Sequence, residues 1–129
     1  MTEEKAPDEL RMYAIVSLDA AAKTKGVRGK MLAQAGHAFL HAFWDAEKRF
    51  PESAELYRRS PRAFKIALAV KDEEALKALM DEYSPRFGTS LVTDAGLTVF
   101  DGPTVTCLGL GPIRPSEAGE TLRSLRTFT

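Results

Sequence analysis

Two largely apolar runs, RMYAIVSL (11–18) and AFKIALAV (63–70), stand out in a chain whose other hydrophobic residues recur mainly at helical spacing. Both runs are short and rich in strand formers, and they predict buried strands. Between them, Met31, Ala35, Phe39, Ala42, Phe43, Ala46 and Phe50 recur at three- and four-residue steps. That spacing predicts an amphipathic helix with these residues as its core face. Pro51 suits the first turn of a second, short helix through Tyr57. Asp72 is placed to cap a helix through Tyr83. SLVTD (90–94) predicts a third strand, and LTVF (97–100) and TVTCLGLG (104–111) follow it, parted by the turn signal Asp101-Gly102. A last helix is expected from about Pro115 and Ser116 towards Leu125.

The order β-α-(α)-β-α-β-β-α favours parallel strands joined by right-handed helical crossovers, with the hairpin at 97–111 adding an antiparallel strand. A small mixed sheet with helices on both faces follows. MTEEKAPDEL (1–10) is polar and acidic and reads as a disordered tail, leaving 11–129 as a single domain. That start is unlike a signal or transit peptide, and no apolar run approaches the ~20 residues needed to span a bilayer. With Cys107 as the only cysteine, neither a disulfide framework nor a cysteine-based zinc site is expected. A cytoplasmic protein with no membrane partner is the expectation.

Net charge is zero, 18 basic against 18 acidic residues, which by itself argues against a nucleic-acid partner. The distribution changes that picture. No acid lies between Asp19 and Asp45, while Lys23, Lys25, Arg28 and Lys30 crowd the same interval, and Arg58, Arg59, Arg62 and Lys65 form a second basic group. A neutral protein with one basic side binds a polyanion locally, although a mixed solvated surface has the same composition.

KGVRGKMLAQAGHAF (25–39) places a basic, glycine-punctuated loop at the start of the long helix. Lys30 in the first turn opposes the helix dipole unless an anion is expected there. Backbone N–H groups with Arg28 and Lys30 suit a phosphate or a developing oxyanion, and Gly26 and Gly29 allow close backbone approach. The GxxGK spacing is too short for a P-loop, and Met31 stands where a magnesium-binding hydroxyl belongs. Lys30, Gln34, His37, His41, Trp44 and Lys48 form one stripe, opposite the expected core face. His37 and His41 at i, i+4 lack a glutamate between them and a third ligand, so they read as packed or hydrogen-bonded side chains rather than metal ligands. Cys107 reads as a small buried hydrophobe. In TDAGLT (93–98), Asp94 ends a strand where ligands of α/β sheets bind, near the expected start of the long helix; equally, Asp94 could cap a turn with Gly96 at positive φ.

Taken together, GKMLAQAGHAF resembles the GK-x-AAQ-x-x-HA signature of the type II peptidyl-tRNA hydrolases, and TDAGLTVFDGPTVTCLGLGP resembles that family's DAG-x-T segment and the strand ending in Gly-x-Gly-Pro. The resemblance covers roughly residues 11 to 112. It implies a three-layer α/β/α sandwich around a four-stranded mixed sheet, no cofactor and no metal, and a possible homodimer. It implies hydrolysis of the ester between a peptide, or an N-blocked aminoacyl group, and the 3′ end of tRNA. By match to the motifs, Lys30, Gln34, Asp94, Thr98 and Thr106 would be the active-site positions, and His37 matches the motif histidine. Arg28 falls where lysine is usual, keeping the charge and changing the hydrogen-bond geometry. The first strand ends without the usual arginine before Asp19, the loop AAAKTKGVRGK is longer than usual, and Pro61-Arg62 replaces a common Gly-Gln pair.

On that basis Asp94 would orient or deprotonate water, helped by Thr98 and Thr106, and Lys30 with the helix start would stabilise the oxyanion or hold terminal phosphates. Gly29 would allow close substrate approach, and Lys23, Lys25, Arg28 and the 58–65 basic group would contact tRNA phosphates. A non-catalytic RNA- or protein-binding member of the same fold is the alternative, and a hydrolase of a smaller ester or amide a third reading.

Overall fold

Along β1 (Arg11–Ser17), Met12, Ala14 and Val16 face one side of the sheet and Tyr13 and Ile15 the other, as strand geometry requires. The computed structural model describes residues 8–24, 26–97 and 99–129. β1 is followed by α1 (Leu18–Ala22), α2 (Arg28–Arg49), α3 (Pro51–Arg59), β2 (Phe64–Val70), α4 (Glu73–Tyr83), β3 (Thr89–Asp94), β4 (Thr104–Ile113), a 3₁₀ turn at Pro115–Glu117, α5 (Gly119–Arg123) and β5 (Arg126–Thr127). The sheet order is β3-β4-β1-β2-β5. β1 and β2 run parallel, and β4 lies antiparallel between β1 and β3. The sheet is mixed, as expected, with α1–α3 on one face and α4 and α5 on the other.

The expected four strands become five. β5 pairs Thr127 with Leu68 and Arg126 with Ala69; its two residues are exposed and carry no apolar signal. The described residues of LTVF (97–100) are not in a strand: Leu97 is 88% exposed, and Leu97, Val99 and Phe100 lie in bends between β3 and β4. The antiparallel partner of β4 is therefore β3 itself. In the lengthened first loop, the alanines form α1, whose Ala20 N–H donates to the Ser17 hydroxyl at 3.1 Å. Asp72 caps α4 as expected, accepting from Ala75 N at 3.1 Å. The expected last helix breaks at Gly119, where φ is 74°. Residues 8–10, assigned to the tail by composition, are held: Ser116 N and Oγ donate to the Asp8 carboxylate at 2.9 and 2.8 Å, and Leu10 is buried with Met12, Ala42 and Tyr57.

The largest correction concerns α2. Its buried ridge is Met31, Gln34, Ala38, Ala42 and Ala46, whereas Ala35, Phe39, Phe43 and Phe50 are only half-buried. Small side chains make this possible. A Cβ on Gly109 would stand 1.9 Å from the Ala38 carbonyl oxygen, and one on Gly88 would stand 2.6 Å from that of Ala42. The helix backbone thus rests directly on β4 and on the entry to β3. The opposite face is filled by large residues, among them Tyr13, Ile15, Leu76, Leu79, Tyr83, Leu108 and Leu110. The far end of α2 is pinned as well, since Thr89 N donates to Asp45 Oδ2 at 3.0 Å while Arg49 holds the same carboxylate.

Gly109→Ala is expected to lower the free energy of unfolding by about 3 kcal/mol, because backbone must move. Gly36→Ala, on the exposed side of α2 with open space around it, should raise it by about 0.5–1 kcal/mol. Urea denaturation of both variants checks this; equal midpoints would contradict the close approach of α2 to β4.

Candidate active site

The buried ridge of α2 runs on towards its N-terminus, so Gln34 and Lys30 reach the end of the sheet where β3 finishes. A bulge in β4 completes the arrangement. Val92 pairs with Cys107 but Thr93 with Val105, which leaves Thr106 as the extra residue. The bulge aims Thr106 at α2. Its hydroxyl is fully buried and donates to Gln34 Oε1 at 2.8 Å. Gln34 Nε2 in turn donates to Asp94 Oδ2 at 3.1 Å. A carboxylate can only accept, so the amide nitrogen must face Asp94 and the amide oxygen must face the hydroxyl. The orientation of Gln34 is fixed from both ends.

Lys30 Nζ lies 2.6 Å from the same Asp94 Oδ2, with side-chain exposures of only 17% and 9%. Asp94 Oδ1 accepts from Gly96 N at 2.8 Å, and Gly96 has φ 80°. Asp94 thus closes a turn with one oxygen, as one sequence reading had it, and meets Lys30 near the start of α2 with the other. A Cβ on Gly96 would be 2.3 Å from the Gly102 backbone, so the β3–β4 loop folds back on itself beside the site. Phe100, 4% exposed, places its ring 5.9 Å from Lys30 Nζ.

The Lys30 ammonium is the strongest influence on Asp94 and holds its carboxyl below the ordinary carboxylate range; burial pushes the other way, and Gly96 N–H and the Gln34 amide reinforce the lowering. Asp94 is thus ionised at neutral pH. Three donors occupy its oxygens, and of roughly four lone-pair directions one remains for a water or substrate proton. Two clefts lie near the pair, one reaching Phe100 and the other Asp94. One, of 620 Å³, is lined by Thr24, Val27, Phe100 and Pro103, and the other, of 470 Å³, by His37, His41, Thr93 and Ala95. The site is a fixed carboxylate and ammonium near two grooves, an arrangement able to position water against a carbonyl and to neutralise an oxyanion.

The family described as Peptidyl-tRNA hydrolase PTH2 matches residues 10–128. The chain belongs to this family. A peptidyl-tRNA hydrolase of Methanopyrus kandleri is 44% identical over 92 residues, 70% of this chain and 77% of that protein. One from Methanocaldococcus jannaschii is 35% identical over 89 residues, 66% of this chain and 74% of that protein. The human mitochondrial peptidyl-tRNA hydrolase 2 is 32% identical over 106 residues, 81% of this chain and 56% of the human protein.

Of the site residues expected in this PTH2 chain, the structure brings together Lys30, Gln34, Asp94 and Thr106. Thr98 and Lys25 lie outside the described residues. Arg28 and Gly29 are exposed in the first turn of α2, and a Cβ on Gly29 would meet open space. Lys23 is exposed near the 620 Å³ cleft and sits 3.6 Å from Asp19. His37 lines the other groove and is exposed rather than packed in the core. The arginines of the second basic group are exposed and ion-paired: Arg58 pairs with Glu47 and Glu55, Arg59 with Glu55, and Arg62 with Glu9, while Lys65 donates to the Ala63 carbonyl. Cys107 is buried, and burial pushes its thiol up to about 11, as suits an inert core residue. Among the described residues no group of three or more His, Cys, Asp or Glu is placed to hold a metal ion. Phe100 and the Gly96 N–H were missed from sequence; only the DAG turn signal pointed to the latter.

Thr106→Val leaves Gln34 Oε1 buried without its donor and should cost about 1–3 kcal/mol in urea denaturation. Asp94 has a folded value below its unfolded one of about 3.9, so its contribution is fully present above about pH 4. It is lost as pH falls through the lowered folded value. Asp94→Asn should flatten that part of the stability profile; an unchanged slope would contradict the ion pair.

Proposed function

We propose that this chain hydrolyses the ester joining a peptide, or an N-blocked aminoacyl group, to the 3′ end of tRNA, with water activated at Asp94. The observation that carries the assignment of roles is the Thr106–Gln34–Asp94–Lys30 chain of contacts. A buried amide locked between a hydroxyl and a carboxylate is a costly arrangement for structure alone, and a sensible one for holding a base in place.

Water held at Asp94 attacks the ester carbonyl and gives its proton to the carboxylate. Lys30 stabilises the oxyanion at the start of α2; Val27, at the N-cap, makes no side-chain cap, and no acid stands in that turn. Collapse of the tetrahedral species breaks the bond to the ribose oxygen, which leaves with the proton from Asp94. The products are the peptide acid and tRNA with a free 3′ hydroxyl. Lys30 has a second consequence. While paired with Asp94 it depresses the basicity a general base needs. Once the ammonium turns to the substrate, that depression is relieved, so base strength rises as substrate binds.

Thr98, by its match to the family motif, would add a second hydroxyl to the water site. Arg28, Lys23 and Lys25 meet phosphates at the rim, Gly29 admits the substrate to the helix start, and His37 lines the approach. The protein is assigned to the cytoplasm; no helix of the described residues is long and apolar enough to cross a membrane. A homodimer, which the family resemblance implies, is supported by Leu32 and Leu40, exposed on α2 beside Phe39 and Phe43. A monomer mass in sedimentation equilibrium would remove it.

With purified N-acetyl-aminoacyl-tRNA, Asp94→Asn should lower kcat by about 10²–10⁴-fold, and Lys30→Met by about 10²–10³-fold. Full turnover by Asp94→Asn would falsify the assignment of the base. Arg28→Ala should weaken binding and reduce the salt slope by about 1.

A further inference from the structure

Beyond His37, the β3-facing flank of α2 takes no part in the chemistry at Asp94, yet it carries an unusual set of side chains. The His41 ring lies edge-on to His37 with centroids 5.8 Å apart, and the Trp44 indole lies 5.3 Å from His41, tilted by 31°. All three are exposed, Trp44 to 49%. They pack on one another instead of into a core, so their outer faces form a continuous aromatic surface. From Gln34 to Trp44 this surface runs about 15 Å along the helix. At its inner end, Gln34, His37 and His41 form one wall of the 470 Å³ groove that ends at Asp94.

The charge along this flank is net positive. Lys30 and Lys48 share the stripe, and Arg28 stands at its N-terminal end. The two nearby carboxylates are both compensated, Asp45 by Arg49 and Asp94 by Lys30. Rings with open faces in a positive field suit unpaired nucleotides: every base has a π-face, and the phosphates supply the opposite charge. The other wall of the groove is the outer edge of β3, whose ladder partner on its inner side is β4. An extended peptide could pair with such an edge, but it has no use for a row of aromatic rings flanked by lysines.

We propose that the unpaired 3′ end of tRNA lies along this flank of α2, with a base stacked on Trp44 and its neighbours on His41 and His37, leading the terminal ribose to Asp94. The inference rests on the hydrolase reading and adds to it the direction of the substrate. The peptide is thereby left to the cleft beside Phe100.

Trp44 is the only tryptophan, so its fluorescence reports this surface alone. A short single-stranded oligonucleotide ending in CCA should quench it, with a midpoint raised about tenfold by His41→Ala. A blunt duplex of the same composition, or an N-acetylated oligopeptide, should not. In turnover of N-acetyl-aminoacyl-tRNA, Trp44→Leu should raise KM about tenfold, with the loss in KM rather than kcat, and Trp44→Phe should restore most of it. Silence of the emission towards the oligonucleotide overturns the proposal, as does quenching by the peptide alone, or leucine serving as well as phenylalanine. Wild-type protein that quenches but cleaves no ester would remove the hydrolase reading and leave the stacking surface standing. Cleavage without quenching would do the reverse.

Discussion

The distance between α2 and β4 sets everything else in this molecule. With glycine at 109 and alanine at 38, 42 and 46, helix backbone meets strand backbone without a layer of large side chains between them. Only at that separation can the Gln34 amide reach the Thr106 hydroxyl and the Asp94 carboxylate together. The bulge that turns Thr106 towards the helix serves the same end. Stability on this side comes from close contact of small groups, and the large hydrophobic burial lies on the α4 face.

That division of labour separates the part of the fold that holds the sheet together from the part that holds the site. The α4 face carries the volume of the core. The α2 face trades volume for placement, and its last buried position, Gln34, is polar. The same ridge that packs the helix then delivers Lys30 to Asp94, so position and chemistry follow from one packing decision. An ion pair this sheltered keeps a carboxylate charged and a cation within reach of it, which is the resting state of the proposed mechanism.

Much of this was legible in the residues. The apolar runs of β1 and β2, the Asp72 cap and Pro51 marked their elements correctly because each acts through local backbone chemistry. The DAG turn likewise exposed Asp94 and Gly96. The buried face of α2 was not legible, since weighing hydrophobicity favours Phe39 and Phe43, whereas the closest packing selects the smallest side chains. Gln34 looked like part of a polar surface because its partners lie 60 and 72 positions away. β5 gave no pattern in two polar residues, and the β-formers Leu97, Val99 and Phe100 lie in a loop. The ion pairs that Arg58 and Arg62 make were not legible from sequence, because Glu47 and Glu9 approach them only through the fold.

The central claim is that Lys30 sets the proton affinity of Asp94 and gives it back when the ammonium leaves. Carbon-detected NMR of the Asp94 carboxyl, titrated in wild type and in Lys30→Met, measures this directly. The carboxyl should titrate below the ordinary aspartate range in wild type and move upward in the variant. The same titration point in both proteins would contradict the claim and leave Lys30 as no more than a neighbour.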